Sequence, residues 1–66
     1  MKWVTAEMIC DSEGKYGLII RLDGEQVRRY EDLTRSCDRL RDFSRRINEG
    51  RVHIVHVDDM VEDFLD

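Results

Sequence analysis

The sequence predicts an α+β domain: a three-stranded antiparallel meander over about 3–10, 16–23 and 25–30, a central helix over about 35–49 and a short C-terminal helix over about 56–65. Three observations lead there. Thr34 to Asn48 carries Cys37, Leu40, Phe43, Ser44 and Ile47 at the spacing that lines one helix face, with Leu33 entering on the same side. Two apolar runs before it are extended in pattern, and Asp23-Gly24 separates the second of them from a third. After it, Met60, Val61, Phe64 and Leu65 repeat at helical spacing to the end of the chain.

Trp3 to Cys10 alternates, placing Val4, Ala6, Met8 and Cys10 on one face and Trp3, Thr5, Glu7 and Ile9 on the other, the pattern of a half-buried strand. The polar cluster Asp11 to Lys15 is a loop, and a second strand starts at Tyr16. Asp23-Gly24 tolerates the positive backbone angles of a tight hairpin turn, so the third strand runs from Glu25 to about Tyr30. A two-residue turn sets Leu22 opposite Glu25, Ile20 opposite Val27 and Gly17 opposite Tyr30. Tyr30 then covers the bare backbone of Gly17. This register also places Arg29 beside Leu18 on the core side, where its stem must pack and its head reach water.

Thr34 is the expected cap of the central helix, and Gly50, in a left-handed conformation, its expected stop. Asp38 with Arg41, and Asp42 with Arg46, have the spacing of supportive surface pairs. Arg51 to Val57 both alternates and continues the helical stripe backwards. The preferred reading is an extended segment to about Val55 and a helix from about His56, with Asp58 and Asp59 near its positive pole. Asp63 and Asp66 sit at the opposite pole, where a neighbouring Arg face would favour them. No repeat, low-complexity stretch or proline marks a boundary, so 1–66 reads as a single domain.

The helix entry Tyr30-Glu31-Asp32-Leu33-Thr34 and the closing Val61-Glu62-Asp63-Phe64-Leu65 resemble those of small Firmicutes proteins grouped only as a domain of unknown function. The resemblance extends from about Tyr16 onward. In that family a Ser-Pro pair often opens the last helix, where this chain has His53-Ile54. The resemblance implies a bacterial cytoplasmic setting and no activity.

Sixty-six residues lie near the lower limit for a chain that folds on its own core, which makes self-association, as a symmetric dimer, an expectation. Trp3 and Ile9, on the sheet's second face, would gain cover from a second copy. With 39% charged and 41% hydrophobic residues, the chain is too apolar and too well patterned to be disordered. Glu7 interrupts the first apolar run and no segment has membrane-spanning length, so the expected setting is the cytoplasm, with no membrane partner. Cys10 and Cys37 both fall at apolar-pattern positions, where reduced buried thiols are the ordinary finding.

The candidate site is the outer face of the central helix: Arg35, Arg39, Arg41, Arg45 and Arg46. Five guanidiniums could meet phosphates, but Asp38, Asp42 and Glu49 are interleaved with them and the net charge of −4 argues against a nucleic-acid module. Thr34 to Val57 holds six Arg against three acids, and Asp58 to Asp66 holds five acids and no base, so the two segments are complementary. His53 and His56 with Asp58 and Asp59 lack the third fixed ligand of a metal site, which tells against a metal-dependent enzyme. The glycines form no phosphate-cradling loop, and neither cysteine is set beside an oriented base. The sequence thus leads to an interaction or regulatory module without catalysis, without cofactor, and with a protein partner or homodimer.

Overall fold

The computed structural model describes residues 3–65. Strands β1 (Val4–Cys10), β2 (Tyr16–Leu22) and β3 (Glu25–Thr34) form one antiparallel sheet in the order β1-β2-β3, followed by helices α1 (Cys37–Glu49) and α2 (Ile54–Leu65). This is the predicted α+β architecture. Alternation in β1 and β2 sends Val4, Leu18 and Ile20 to the helix side, where they meet Leu40, Phe43 and Ile47 of α1 and Val57 and Val61 of α2. All of these are buried, and each fully buried side chain contributes about 1.5–3 kcal/mol through the water it sheds. Ile19 is also buried, but on the second face, with Glu7 and Arg29 as its cross-strand neighbours.

The hairpin turn is as the sequence predicts, with Asp23 and Gly24 both at positive φ (58° and 85°) and Leu22 opposite Glu25. Beyond Gln26 the register departs from the simple two-residue count. Ile20 pairs with Arg28, not Val27, and Tyr30 pairs with Leu18, not Gly17. One extra residue of β3 is absorbed as a bulge at Val27, which shifts the rest of the strand by one. The shift removes the awkward placement of Arg29: it now lies opposite Ile19 on the second face, its Nε donating to Glu31 Oε1 (3.1 Å). Tyr30 moves to the helix side.

A second irregularity keeps β3 extended past Tyr30 to Thr34, with Asp32 at φ 58° and Thr34 opposite Tyr16. Here the backbones crowd. A Cβ on Gly17 would lie 2.2 Å from the Tyr30 carbonyl oxygen, so glycine is required for close approach and not as a surface for an aromatic ring.

Helix α1 is capped by Ser36, not Thr34: the Ser36 hydroxyl accepts from Arg39 N (3.3 Å), and Thr34 Oγ1 accepts from Ser36 N (3.0 Å). Both hydroxyls serve the entry because β3 runs four residues further than its pattern suggests. Gly50 closes the helix at φ −86°, its N–H donating to Arg46 O (2.8 Å), and Arg51 takes the positive φ (54°) instead. Only three residues then separate Gly50 from α2, which begins at Ile54 and not at His56, so Asp58 and Asp59 lie beyond its first turn. Arg51 to His53 is the remnant of the expected extended segment, and the Val52 carbonyl accepts from Val4 N (2.9 Å) at the open edge of β1.

That edge is closed further along by α1. Ala6 N donates to Asn48 Oδ1 (2.7 Å), while the Asn48 amide donates back to Ala6 O (3.1 Å) and the buried Ser44 hydroxyl donates to the same carbonyl (3.4 Å).

Candidate interaction surface

Arg35, just before helix α1, and the four arginines of α1 lie on the outside because the helix's apolar stripe is used by the sheet, yet they do not form one free basic face. Arg35 Nη1 reaches the Glu13 carbonyl in the β1–β2 turn (3.3 Å). Arg39 Nη2 donates to the Phe64 carbonyl near the C-terminus of α2 (3.3 Å), and its guanidinium lies over the Phe64 ring at 5.0 Å. Arg41 bridges Asp38 Oδ1 (3.3 Å) and Cys37 Sγ (3.4 Å). Arg45 approaches Asp42 at 3.9 Å, taking the acid that the sequence spacing assigned to Arg46. Arg46 turns instead onto the Phe43 ring, 5.8 Å from its centroid.

The contact between α1 and α2 is therefore built from rings and a backbone carbonyl. Phe43 and Phe64 stack with centroids 4.6 Å apart and an interplanar angle of 18°. Arg39 and Arg46 cover the stack, and Arg39 also satisfies a carbonyl at the negative pole of α2. A shallow cleft of about 210 Å³ lies between the helices, lined by Phe43, Arg46, Met60, Asp63 and Phe64.

The carboxylates of α2 are left largely to solvent. Asp58 accepts a hydrogen bond from the Tyr30 hydroxyl. Burial and this carboxylate together push the Tyr30 phenol up to about 12. Asp59, Glu62 and Asp63 are exposed, and among the described residues none has an ion-pair partner. Asp66 lies outside the described residues. Val55, Asp59, Glu62 and Leu65 follow one another along the outer face, with Val55 73% and Leu65 57% exposed.

The other sequence candidates separate. The His53 ring packs edge-on against Trp3 (centroids 4.5 Å) and lies 6.3 Å from the His56 ring. Among the described residues no group of three His, Cys, Asp or Glu is placed to hold a metal ion. No helix of the described chain is long and apolar enough to cross a membrane. Cys10 is exposed and Cys37 half-buried, so neither is the core thiol that the patterns suggest: both stripes run past the end of the packed core. The Tyr16 phenol is raised above its ordinary value, by Cys37 first and then by Cys10 and burial. At the same end of the sheet Asp11 Oδ1 accepts from Lys15 N (3.0 Å) and Glu13 N (2.8 Å), which holds its carboxyl below the usual carboxylate range.

The Tyr30–Asp58 bond and the Asn48 clamp had no signal in the sequence, because each joins residues far apart in the chain. No family model, curated protein sequence or solved structure matches the chain.

Proposed function

We propose that this domain is a small protein-interaction module without catalysis, which docks through the acidic outer face of α2 onto a protein with a basic surface. The observation that carries the reading is the contrast between the two helices. Each of the five arginines has a carbonyl, carboxylate, sulfur or ring partner in its own chain, whereas Asp59 and Glu62 have no ion-pair partner among the described residues and Asp63 only shares a cleft with Arg46. Like charges three and four residues apart on one helix repel, so a basic partner relieves a cost the free domain bears. Val55 and Leu65, exposed at the two ends of the strip, supply apolar area beside the charge. A second copy offers only arginines already engaged within their own chain, so a homodimer would have to exchange those contacts for the carboxylates of α2. A setting in the bacterial cytoplasm accords with the family resemblance.

The test is charge reversal. Asp59→Lys with Glu62→Lys is expected to lose the partner captured from the source cell while melting as the parent does. A partner retained by that variant refutes the docking face. The nucleic-acid reading is separated by fluorescence anisotropy of labelled oligonucleotides across a salt series, where weak binding is expected. Micromolar binding at physiological salt, falling by about 0.9 log unit per log unit of salt for each duplex phosphate contacted, would favour it. Loss of that binding in a normally melting Arg39→Ala, Arg45→Ala, Arg46→Ala variant would establish it.

A further inference from the structure

The sheet treats its two edges differently. The rim of β1 is closed by Val52, Ser44 and Asn48, whereas β3 has β2 on one side and, among the described residues, no strand on the other. The Tyr30 carbonyl lies against Gly17 of β2 and its peptide bond is trans, so the Glu31 N–H at the far side of that peptide points away from β2. Antiparallel alternation turns the Arg29 carbonyl to the same open rim. The side chains along this rim form a charge palindrome. Counting outwards from Tyr30, Arg29 answers Glu31, Arg28 answers Asp32, and half-buried Val27 answers half-buried Leu33. Two β3 strands set antiparallel about a twofold axis through Tyr30 therefore place each Arg29 opposite Glu31 of the second copy and each Arg28 opposite Asp32. Neighbouring registers lose this match. An axis at Arg29 sets arginine on arginine, an axis at Glu31 sets glutamate on glutamate, and parallel pairing in register matches every charge with its like.

We propose that the outer rim of β3 is the seam of a symmetric dimer, in which two copies of this chain pair antiparallel about Tyr30 to form one continuous sheet. Each Glu31 N–H donates to the Arg29 carbonyl of the second copy. Arg29 and Glu31 already share the second face, exposed and 3.1 Å apart within one chain, so the pairs of the two copies join there into a ring of alternating charge. The bulge at Val27 and the positive φ of Asp32 (58°) interrupt regular pairing on either side, which confines the seam to the stretch between them. Charged side chains and bulges commonly deter edge pairing; here the order of the charges admits one register and rejects its neighbours. A seam this short rests on main-chain bonds and charge more than on apolar area, so it holds at concentrations on the order of tens of micromolar and above. It uses none of the carboxylates on the outer face of α2, and the two readings fail separately.

The experiment is sedimentation equilibrium of the full chain, with amide hydrogen exchange followed by nuclear magnetic resonance at low and high protein concentration. The parent is expected to dimerise between tens and hundreds of micromolar, the Glu31 amide gaining protection as it does. Arg29→Glu or Glu31→Arg alone sets like charges face to face and is expected to weaken the dimer by about tenfold or more. Mixed in equal amounts, the two variants bring an acidic rim to a basic one, and a heterodimer at least as tight as the parent dimer is expected. Where a single variant folds poorly, Arg29→Glu with Glu31→Arg in one chain keeps the pair within the strand and is expected to dimerise as the parent does. A parent that stays monomeric at hundreds of micromolar overturns the proposal and leaves the rim to a strand of another protein. A dimer whose Glu31 amide exchanges as freely as in the monomer, a dimer that both single variants leave unchanged, or folded variants that do not associate when mixed would each overturn it as well.

Discussion

Phe64→Ala tests whether α2 belongs to the domain. A fully buried phenylalanine truncated to alanine costs about 3–5 kcal/mol, but Phe64 is only partly buried, so its share of burial is about half of that. The stack on Phe43 and the Arg39 guanidinium over the ring each add about 0.5–1 kcal/mol, giving a total of about 2.5–4.5 kcal/mol. For a domain of this length that lowers the melting midpoint by about 10–35 °C, a large part of the margin such a small protein has. Differential scanning calorimetry of parent and variant reads the shift directly, with Phe64→Leu as the control that restores apolar bulk without the stack and recovers part of the loss. An unchanged midpoint for Phe64→Ala would refute the reasoning: α2 would then be an appended peptide whose ring and carbonyl contacts with α1 contribute nothing.

Two further predictions concern the sheet. Because the Tyr30 phenol is raised to about 12, the proton it carries stabilises the fold fully below the unfolded value of about 10, and this contribution is lost as pH rises through 12. Ultraviolet titration is therefore expected to show a late phenolate step that disappears in Tyr30→Phe; a Tyr30 that ionises near the ordinary value would contradict the bond to Asp58. Gly17→Ala drives a methyl into the Tyr30 carbonyl and is expected to destabilise by about 1–3 kcal/mol or more in urea unfolding, whereas a variant as stable as the parent would disprove the close approach of β2 and β3.

The five elements were legible because each is announced locally: the alternation of β1, the Asp23-Gly24 turn, the stripe of Leu40, Phe43, Ser44 and Ile47, and the repeat of Met60, Val61 and Phe64. What escaped depends on tertiary competition. The Val27 bulge arises because a register counted from the turn would leave Arg29 on the core side, and no local pattern encodes that conflict's resolution. Thr34 and Ser36 both carry capping hydroxyls; the choice falls to Ser36 because β3 continues pairing to Tyr16. The start of α2 lies two residues before the expected one because Arg51 to Val57 satisfies both periods, and Ile54 and Val55 join the helix once Val57 has a core to fill. At the candidate site the arginines were read correctly as outward, but their individual partners, a turn carbonyl for Arg35 and a helix-end carbonyl for Arg39, come from elements that meet only in the folded chain.

Asn48 imitates a neighbouring strand with a single side chain: its amide offers Ala6 one acceptor and one donor, the pair that another strand would bring. During folding this protection comes late, since the three strands can pair through short turns before α1 settles along β1. In that interval the rim of β1 is an open template on which another unfinished chain could add, and aggregation competes with docking of the helix. Asn48→Ala is therefore expected to lower the yield of refolding at high concentration, read by light scattering, more than it lowers the melting midpoint of the finished protein.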